Sequence, residues 1–150
     1  MARYVTTAKT SWDPETAFDY LAEFSNVADW DPGVSQGRSL SPDPLELGAR
    51  FEVEASFLGR SLPLTYETVE IERPNRVTVR ADSGTFSSVD TLTFEPEPGG
   101  GTLVTYDADL RLKSALKLVD PLMGIGFNRI ADKARDGLRE RLAGDPPATG

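Results

Sequence analysis

The 150-residue chain predicts an α+β domain in which a strand and two short helices precede a curved antiparallel sheet, of about seven strands in total, with a long C-terminal helix lying across it. Three observations predict this. Segments rich in alternating, β-branched and aromatic residues follow one another over residues 35–113 with only short turn-forming pieces between them. Such spacing favours antiparallel neighbours, because parallel strands need crossovers of roughly a dozen residues or more. The period then changes. Leu116, Val119, Met123, Phe127, Ile130, Ala134, Leu138 and Leu142 recur at three- and four-residue steps over residues 114–142, the stripe of a helix with one covered face. Near the N-terminus, Asp13-Pro14 supplies a separate helix-start signal.

Each element has a local cause. Residues 3–10 carry enough Tyr, Val and Thr for a strand, which Ser11 ends. Asp13 caps the following helix, Pro14 takes its first position, and Trp12 staples against Ala17, with Ala17, Phe18, Leu21 and Phe24 as the buried face. Ser25 restarts the pattern, and Val27 with Trp30 mark a second short turn closed by Asp31, Pro32 and Gly33. Strands follow at residues 35–41, 49–58, 62–72, 76–82, 85–95 and 102–113. Parity changes between Leu62, Leu64, Tyr66 and Val69, Ile71, which predicts a bulge and leaves the direction of Tyr66 open. On the last helix Arg129, Lys133, Arg135, Asp136 and Arg139 meet water, with local pairs Asp132 to Arg135 and Asp136 to Arg139. One domain over residues 1–143 and a flexible tail over 144–150 complete the chain.

Composition removes several classes of function. The net charge of −8 opposes binding to phosphate backbones and anionic lipid surfaces, so nucleic acid is not expected as a partner. No apolar run reaches the roughly 20 residues of a membrane span, and the first residues lack a signal-peptide pattern, which predicts a cytoplasmic protein with no transmembrane segment. The chain has no cysteine and no histidine. Thiolate nucleophiles, Ser-His-Asp arrangements and histidine-containing metal triads are therefore excluded, and chemistry falls to Asp, Glu, Tyr, Lys, Arg or backbone amides. No cofactor and no metal are expected. Asp29 with Asp31, and Asp107 with Asp109, lack the spacing of a calcium loop and read as surface or capping residues. Gly124-Ile125-Gly126 opens like a dinucleotide loop, but Arg129 stands where the last glycine belongs, so helix packing explains it better.

The last hairpin is legible in more detail. Phe86, Ser88, Asp90, Leu92 and Phe94 share one face, as do Val104, Tyr106, Ala108, Leu110 and Leu112 on the next strand. Opposing the two sets requires an odd loop such as Pro98, Gly99 and Gly100, which pairs Phe94 with Val104, Leu92 with Tyr106, Asp90 with Ala108, Ser88 with Leu110 and Phe86 with Leu112. Large apolar pairs near the turn give way to a small, polar centre, and that thin region predicts a cavity. Phe51, Val53, Ala55 and Phe57 form another apolar wall, Tyr66 is a further candidate, and Met123, Phe127 and Ile130 cover the space from the helix. Asp90 points a carboxylate into this apolar side, where Tyr106 and Ser88 are the hydrogen-bond partners within reach. It has three readings: a structural or solvent-exposed residue, a ligand contact, or an acid/base group paired with Tyr106.

Asp13-Pro14-Glu15-Thr16-Ala17-Phe18, Phe24-Ser25-Asn26-Val27-Ala28-Asp29-Trp30 and Asp120-Pro121-Leu122-Met123, in this order of elements, resemble the START-like or SRPBCC superfamily. Its helix-grip fold is shared by birch-pollen-allergen-like and polyketide cyclase/dehydrase-like proteins, and the resemblance covers residues 2–143. These motifs specify fold more than function. The resemblance implies a cavity between sheet and terminal helix that binds a small hydrophobic molecule such as a lipid, an aromatic or a polyketide-like compound. It also places Trp30 near the cavity entrance, although core packing is the favoured reading of that residue. The alternatives are a polyketide cyclase or dehydratase using Asp90 and Tyr106, and a protein-interaction adaptor, which an exposed apolar patch would favour.

Overall fold

The computed structural model describes residues 2–57, 59–83, 86–112 and 120–147. The elements are β1 (Ala2–Thr10), α1 (Pro14–Ala22), a 3-10 turn (Phe24–Asn26), α2 (Val27–Trp30), β2 (Val34–Ser39), β3 (Arg50–Phe57), β4 (Arg60–Glu72), β5 (Arg76–Asp82), β6 (Phe86–Pro96), β7 (Thr102–Leu112) and α3 (Asp120–Ala143). The helix-grip expectation holds. Residues 113–119, where the last helix was expected to begin, lie outside the described residues.

Local signals act as the sequence implies. Asp13 accepts a hydrogen bond from the Thr16 amide at 2.7 Å with Pro14 at the first helical position, which satisfies one of the donors a helix start leaves free. Trp12 packs edge-on against Tyr20, ring centroids 5.6 Å apart.

The sheet has the order β1-β7-β6-β5-β4-β3-β2, antiparallel throughout. Only β1 departs from sequential neighbours: it pairs with β7, so the first strand closes the sheet beside the last. The β6–β7 register aligns Phe94 with Val104, Leu92 with Tyr106, Asp90 with Ala108, Ser88 with Leu110 and Phe86 with Leu112, as alternation demanded. Gly99, Gly100 and Gly101 all have positive φ in the connecting turn. At Gly101 a side chain would also collide with the Thr10 carbonyl. The parity change in β4 is a bulge between Thr68 and Glu70, and Val69 within it is left exposed.

Phe18 of α1 sits edge-on to Phe94 at 5.3 Å, and Phe51, Val77, Val79, Leu92 and Val104 are fully buried on the same side of the sheet. α3 is anchored from its C-terminal half. Leu138 and Leu142 are fully buried, each worth about 1.5–3 kcal/mol relative to exposure. Thr10 Oγ1 donates to the Leu142 carbonyl at 2.7 Å and Arg139 Nε donates to the Thr7 carbonyl at 2.9 Å. This corrects the expected Asp136 to Arg139 pair: Arg139 is spent on β1, and Asp136 pairs with Arg135, which also meets Asp132. Gly137 marks the crossing of α3 over α2, since a Cβ there would overlap the Trp30 carbonyl oxygen. The helix backbone thereby rests directly on the end of α2. After α3, Trp12 Nε1 donates to the Gly144 carbonyl at 3.0 Å and Arg141 Nη1 to that of Asp145 at 2.8 Å.

Candidate ligand-binding site

A cavity of about 160 Å³ lies between the inner face of the sheet, the 3-10 turn with α2, and α3. Its origin is a line of small residues. Across the sheet Tyr66 neighbours Ala81, Ala81 neighbours Ser88, and Ser88 neighbours Leu110, while Asp90 in the next inward row neighbours Ala108. Ser88 and Ala108 leave unfilled the volume that larger side chains would occupy beneath the helix, and protein interiors otherwise pack to near-crystal density.

Of the residues the sequence marked, Val53, Ala55, Tyr66, Ser88, Asp90, Tyr106, Ala108, Leu110 and Ile130 line this space. Phe51 does not; it is fully buried in the core. Its register partner is Tyr66, which Phe24 of the 3-10 turn meets at 4.7 Å; both of those rings border the cavity, and Phe51 does not. Strand parity gave Phe51 the right face but not the right depth. The side chains of Phe57, Phe86, Met123 and Phe127 lie outside the described residues.

One end of the cavity is polar. Tyr66 Oη donates to Ser88 Oγ at 3.4 Å, Ser88 Oγ donates to Asp90 Oδ1 at 3.2 Å, and Tyr106 Oη donates to Asp90 Oδ2 at 2.6 Å. The small Ala81 between the strands of Tyr66 and Ser88 lets the phenol reach across. Asp90 is only 4% exposed. Burial raises its pKa from 3.8 to about 6, the bonds from Tyr106 and Ser88 pull it down, and the negative charges of Asp31 and Asp107 push it up. Burial likewise raises Tyr106 and Tyr66 well above the ordinary 10, each reinforced by the Asp90 charge. Both phenols therefore stay protonated and act as donors. The arrangement can hold a carboxyl group that titrates close to neutrality, present it to an apolar cavity, and accept hydrogen bonds or a proton there.

Asp31 was not legible as a cavity residue, and Trp30 only through the family resemblance. Asp31 lines the cavity, partly buried, with its Oδ1 accepting from the Gly33 amide at 2.8 Å and its pKa raised by burial. The capping role read from sequence is present, but nothing in the local pattern distinguishes a cap on the surface from one at a cavity wall. Trp30 is both: buried at the junction of α2 and α3, and on the wall, edge-on to Tyr106 at 5.7 Å. Arg135 also reaches the lining, but its guanidinium is engaged by Asp132, Asp136 and Tyr4 Oη.

The other acidic pairs are occupied elsewhere. Asp29 accepts from Tyr20 Oη, Asp107 binds Arg3, and Asp109 meets Arg111. Among the described residues no group of three or more carboxylates is placed to hold a metal ion, and no helix is long and apolar enough to cross a membrane.

The profile of the family described as polyketide cyclase / dehydrase and lipid transport matches residues 1–143. The chain belongs to this family. No curated protein matches the sequence of this polyketide cyclase/dehydrase and lipid transport family member, whereas solved structures match its fold over nearly the whole length. A START superfamily protein from Mycobacterium smegmatis superposes with a TM-score of 0.76 at 13% identity, covering 95% of this chain and 97% of that one. The Zhui aromatase/cyclase from a Streptomyces species gives 0.74 at 10% identity, with 93% and 92% covered. Ginseng major latex-like protein 151 from Panax ginseng gives 0.65 at 14% identity, with 94% and 97% covered. At such identities the likeness is one of fold.

Proposed function

We propose that the chain binds a small, mainly hydrophobic molecule in the cavity between the sheet and α3, oriented by the polar end at Asp90 and Tyr106. The observation that carries this reading is the cavity itself: apolar walls, with hydrogen-bonding groups gathered at one end, the usual make-up of a small-molecule site. Membership of a family whose description includes lipid transport supports it. The volume of about 160 Å³ is close to that of an engineered apolar cavity, about 150 Å³, that takes up benzene. A group of single-ring size matches this volume.

A thermal-shift series on the full chain with single-ring apolar probes such as toluene and indole tests this. Saturable stabilisation is expected, because a ligand that binds only the folded state adds about 2.7 kcal/mol at one hundred times its Kd. Complete absence of stabilisation by any probe overturns the reading. Mass spectrometry of the protein after gentle purification is the direct search for what it carries.

The second reading, a cyclase or dehydratase acting on a polyketide-like compound, is favoured by one observation: an almost fully buried carboxyl group with a pKa of about 6 that shares a 2.6 Å hydrogen bond with a phenol. In such a reaction Asp90 would take the proton from a carbon next to a carbonyl and pass it to a departing hydroxyl, which leaves as water. Measured turnover abolished by Asp90→Asn, with binding retained, would establish it; binding without turnover leaves the carrier role.

A further inference from the structure

The cavity's polar groups do not suit every small hydrophobic molecule equally. Asp90 and Asp31 are both carboxylates on its wall, and no lysine or arginine pairs with either among the described residues. The one cation of the lining among the described residues, Arg135, is spent on Asp132, Asp136 and Tyr4 Oη. At the polar end the donors are spent too, whereas the Thr6 and Ser56 hydroxyls and the Trp30 indole elsewhere on the wall donate to no protein partner among the described residues. Tyr106 Oη and Ser88 Oγ both donate to Asp90, and Tyr66 Oη donates to Ser88. What remains for a newcomer at the Asp90 end is acceptor capacity. Each Asp90 oxygen carries one hydrogen bond and accommodates another, and Asp31 Oδ2 has no protein partner among the described residues.

A buried carboxylate and a half-buried one beside the same cavity, without a counter-charge, are costly. A neutral hydroxyl entering this space leaves both charges uncompensated, and an anion adds a third. A protonated nitrogen supplies positive charge and several N–H donors at once, in charge-assisted bonds roughly twice as strong as neutral ones. Trp30 and Tyr106 also stand together on the wall, and aromatic rings attract a cation that reaches their faces.

We propose that the ligand is a small aromatic or alicyclic amine, its protonated nitrogen bound by Asp90 with Asp31 as a second negative neighbour, and its ring against Trp30, Val53 and Ala108. This rests on the cavity reading above and narrows it. The charge of Asp31 helps hold up the pKa of Asp90, so a cation bound at Asp90 also gains from the negative field of Asp31. The same chemistry disfavours fatty-acid anions as cargo.

Calorimetric titration of the full chain at neutral pH with phenethylamine, phenethyl alcohol and hydrocinnamate tests the proposal, because the three share a ring and differ in the end group. The amine is expected to bind at least about tenfold more tightly than the alcohol, with the acid weakest. Asp90→Asn, and to a lesser degree Asp31→Asn, should shrink the amine-to-alcohol ratio, in variants first shown to unfold cooperatively. The wild-type ranking stands as a test even if a variant does not fold. An alcohol that equals the amine overturns the proposal, as does a ratio that neither folded variant changes. The acid binding tightest also overturns it and assigns Arg135 as the anchor. If the alcohol or toluene binds and the amine gains nothing, only the amine proposal falls. If none of these probes binds, the cavity reading falls with it.

Discussion

Tyr106 Oη donates to Asp90 Oδ2 at 2.6 Å although the two residues are not register partners: Tyr106 stands opposite Leu92, and Asp90 opposite Ala108. Both side chains share one face of the β6–β7 pair, offset diagonally, and a tyrosine is long enough to bridge that offset. The small Ala108 leaves the carboxylate uncovered on its other side, toward the cavity.

Replacing this donor should therefore cost most where Asp90 is charged. Tyr106→Phe removes the hydrogen bond that lowers the Asp90 pKa, so that pKa should rise further above about 6. The expected loss of stability is about 1–3 kcal/mol at about pH 7 and smaller at about pH 5, where the carboxyl is already largely protonated. Urea unfolding at the two pH values measures both numbers. An equal loss at each pH would mean that the bond does not discriminate between the two forms.

Asp90→Asn should reverse part of the wild-type pH dependence. Folding raises the pKa from 3.8 to about 6, so between these values the folded state keeps a proton that the unfolded chain releases. The contribution of Asp90 to stability is thus fully present at the acid end and is lost as pH rises through about 6, a loss on the order of 1–3 kcal/mol. The difference in unfolding free energy between Asp90→Asn and wild type should consequently move in favour of the variant as pH rises from about 4 to about 7. A difference that stays constant with pH would show that the carboxyl titrates as it does in the unfolded chain.

Gly137→Ala would stabilise an exposed helix by about 1 kcal/mol. Here the opposite is expected, because the new methyl overlaps the Trp30 carbonyl and must lift α3 from α2. Thermal unfolding should show destabilisation of about 1–3 kcal/mol, accompanied by altered probe binding, since Trp30, Ala134 and Leu138 all line the cavity. A more stable variant with unchanged binding would contradict the close helix crossing.

Filling the cavity should separate its emptiness from the needs of the fold. Ala108→Leu places apolar volume on the wall beside Asp90, and small-to-large changes are tolerated where space exists. Stability is expected to stay within about 1 kcal/mol of wild type or to rise, while stabilisation by toluene and indole disappears. Strong destabilisation would mean that the position is already close-packed.

Removing residues 120–150 should abolish cooperative unfolding, because Leu138 and Leu142 are fully buried against the rest of the core and the inner sheet face would be bared. A truncated chain with a single sharp transition would show the sheet to be self-sufficient. Circular dichroism during thermal unfolding decides between them.

Alternation of side chains determined the sheet before any coordinate was known, because the strand period of two ties each residue to a face and a slip of one residue exposes a whole apolar set. The β6–β7 register, the odd turn, the bulge after Thr68 and the Asp13 cap all followed from such short-range constraints. The same parity argument turned Asp90 inward and named Tyr106 and Ser88 as its partners. Depth was decided only by the tertiary structure. Phe51 and Val53 share a face, yet one is buried in the core and the other borders the cavity. Asp31 became a cavity residue, and Arg139 a tie to β1, only once α2 and α3 were laid over the sheet. Periodicity specifies direction along one element; what a side chain meets there depends on sheet curvature and on elements distant in sequence, which no local pattern encodes.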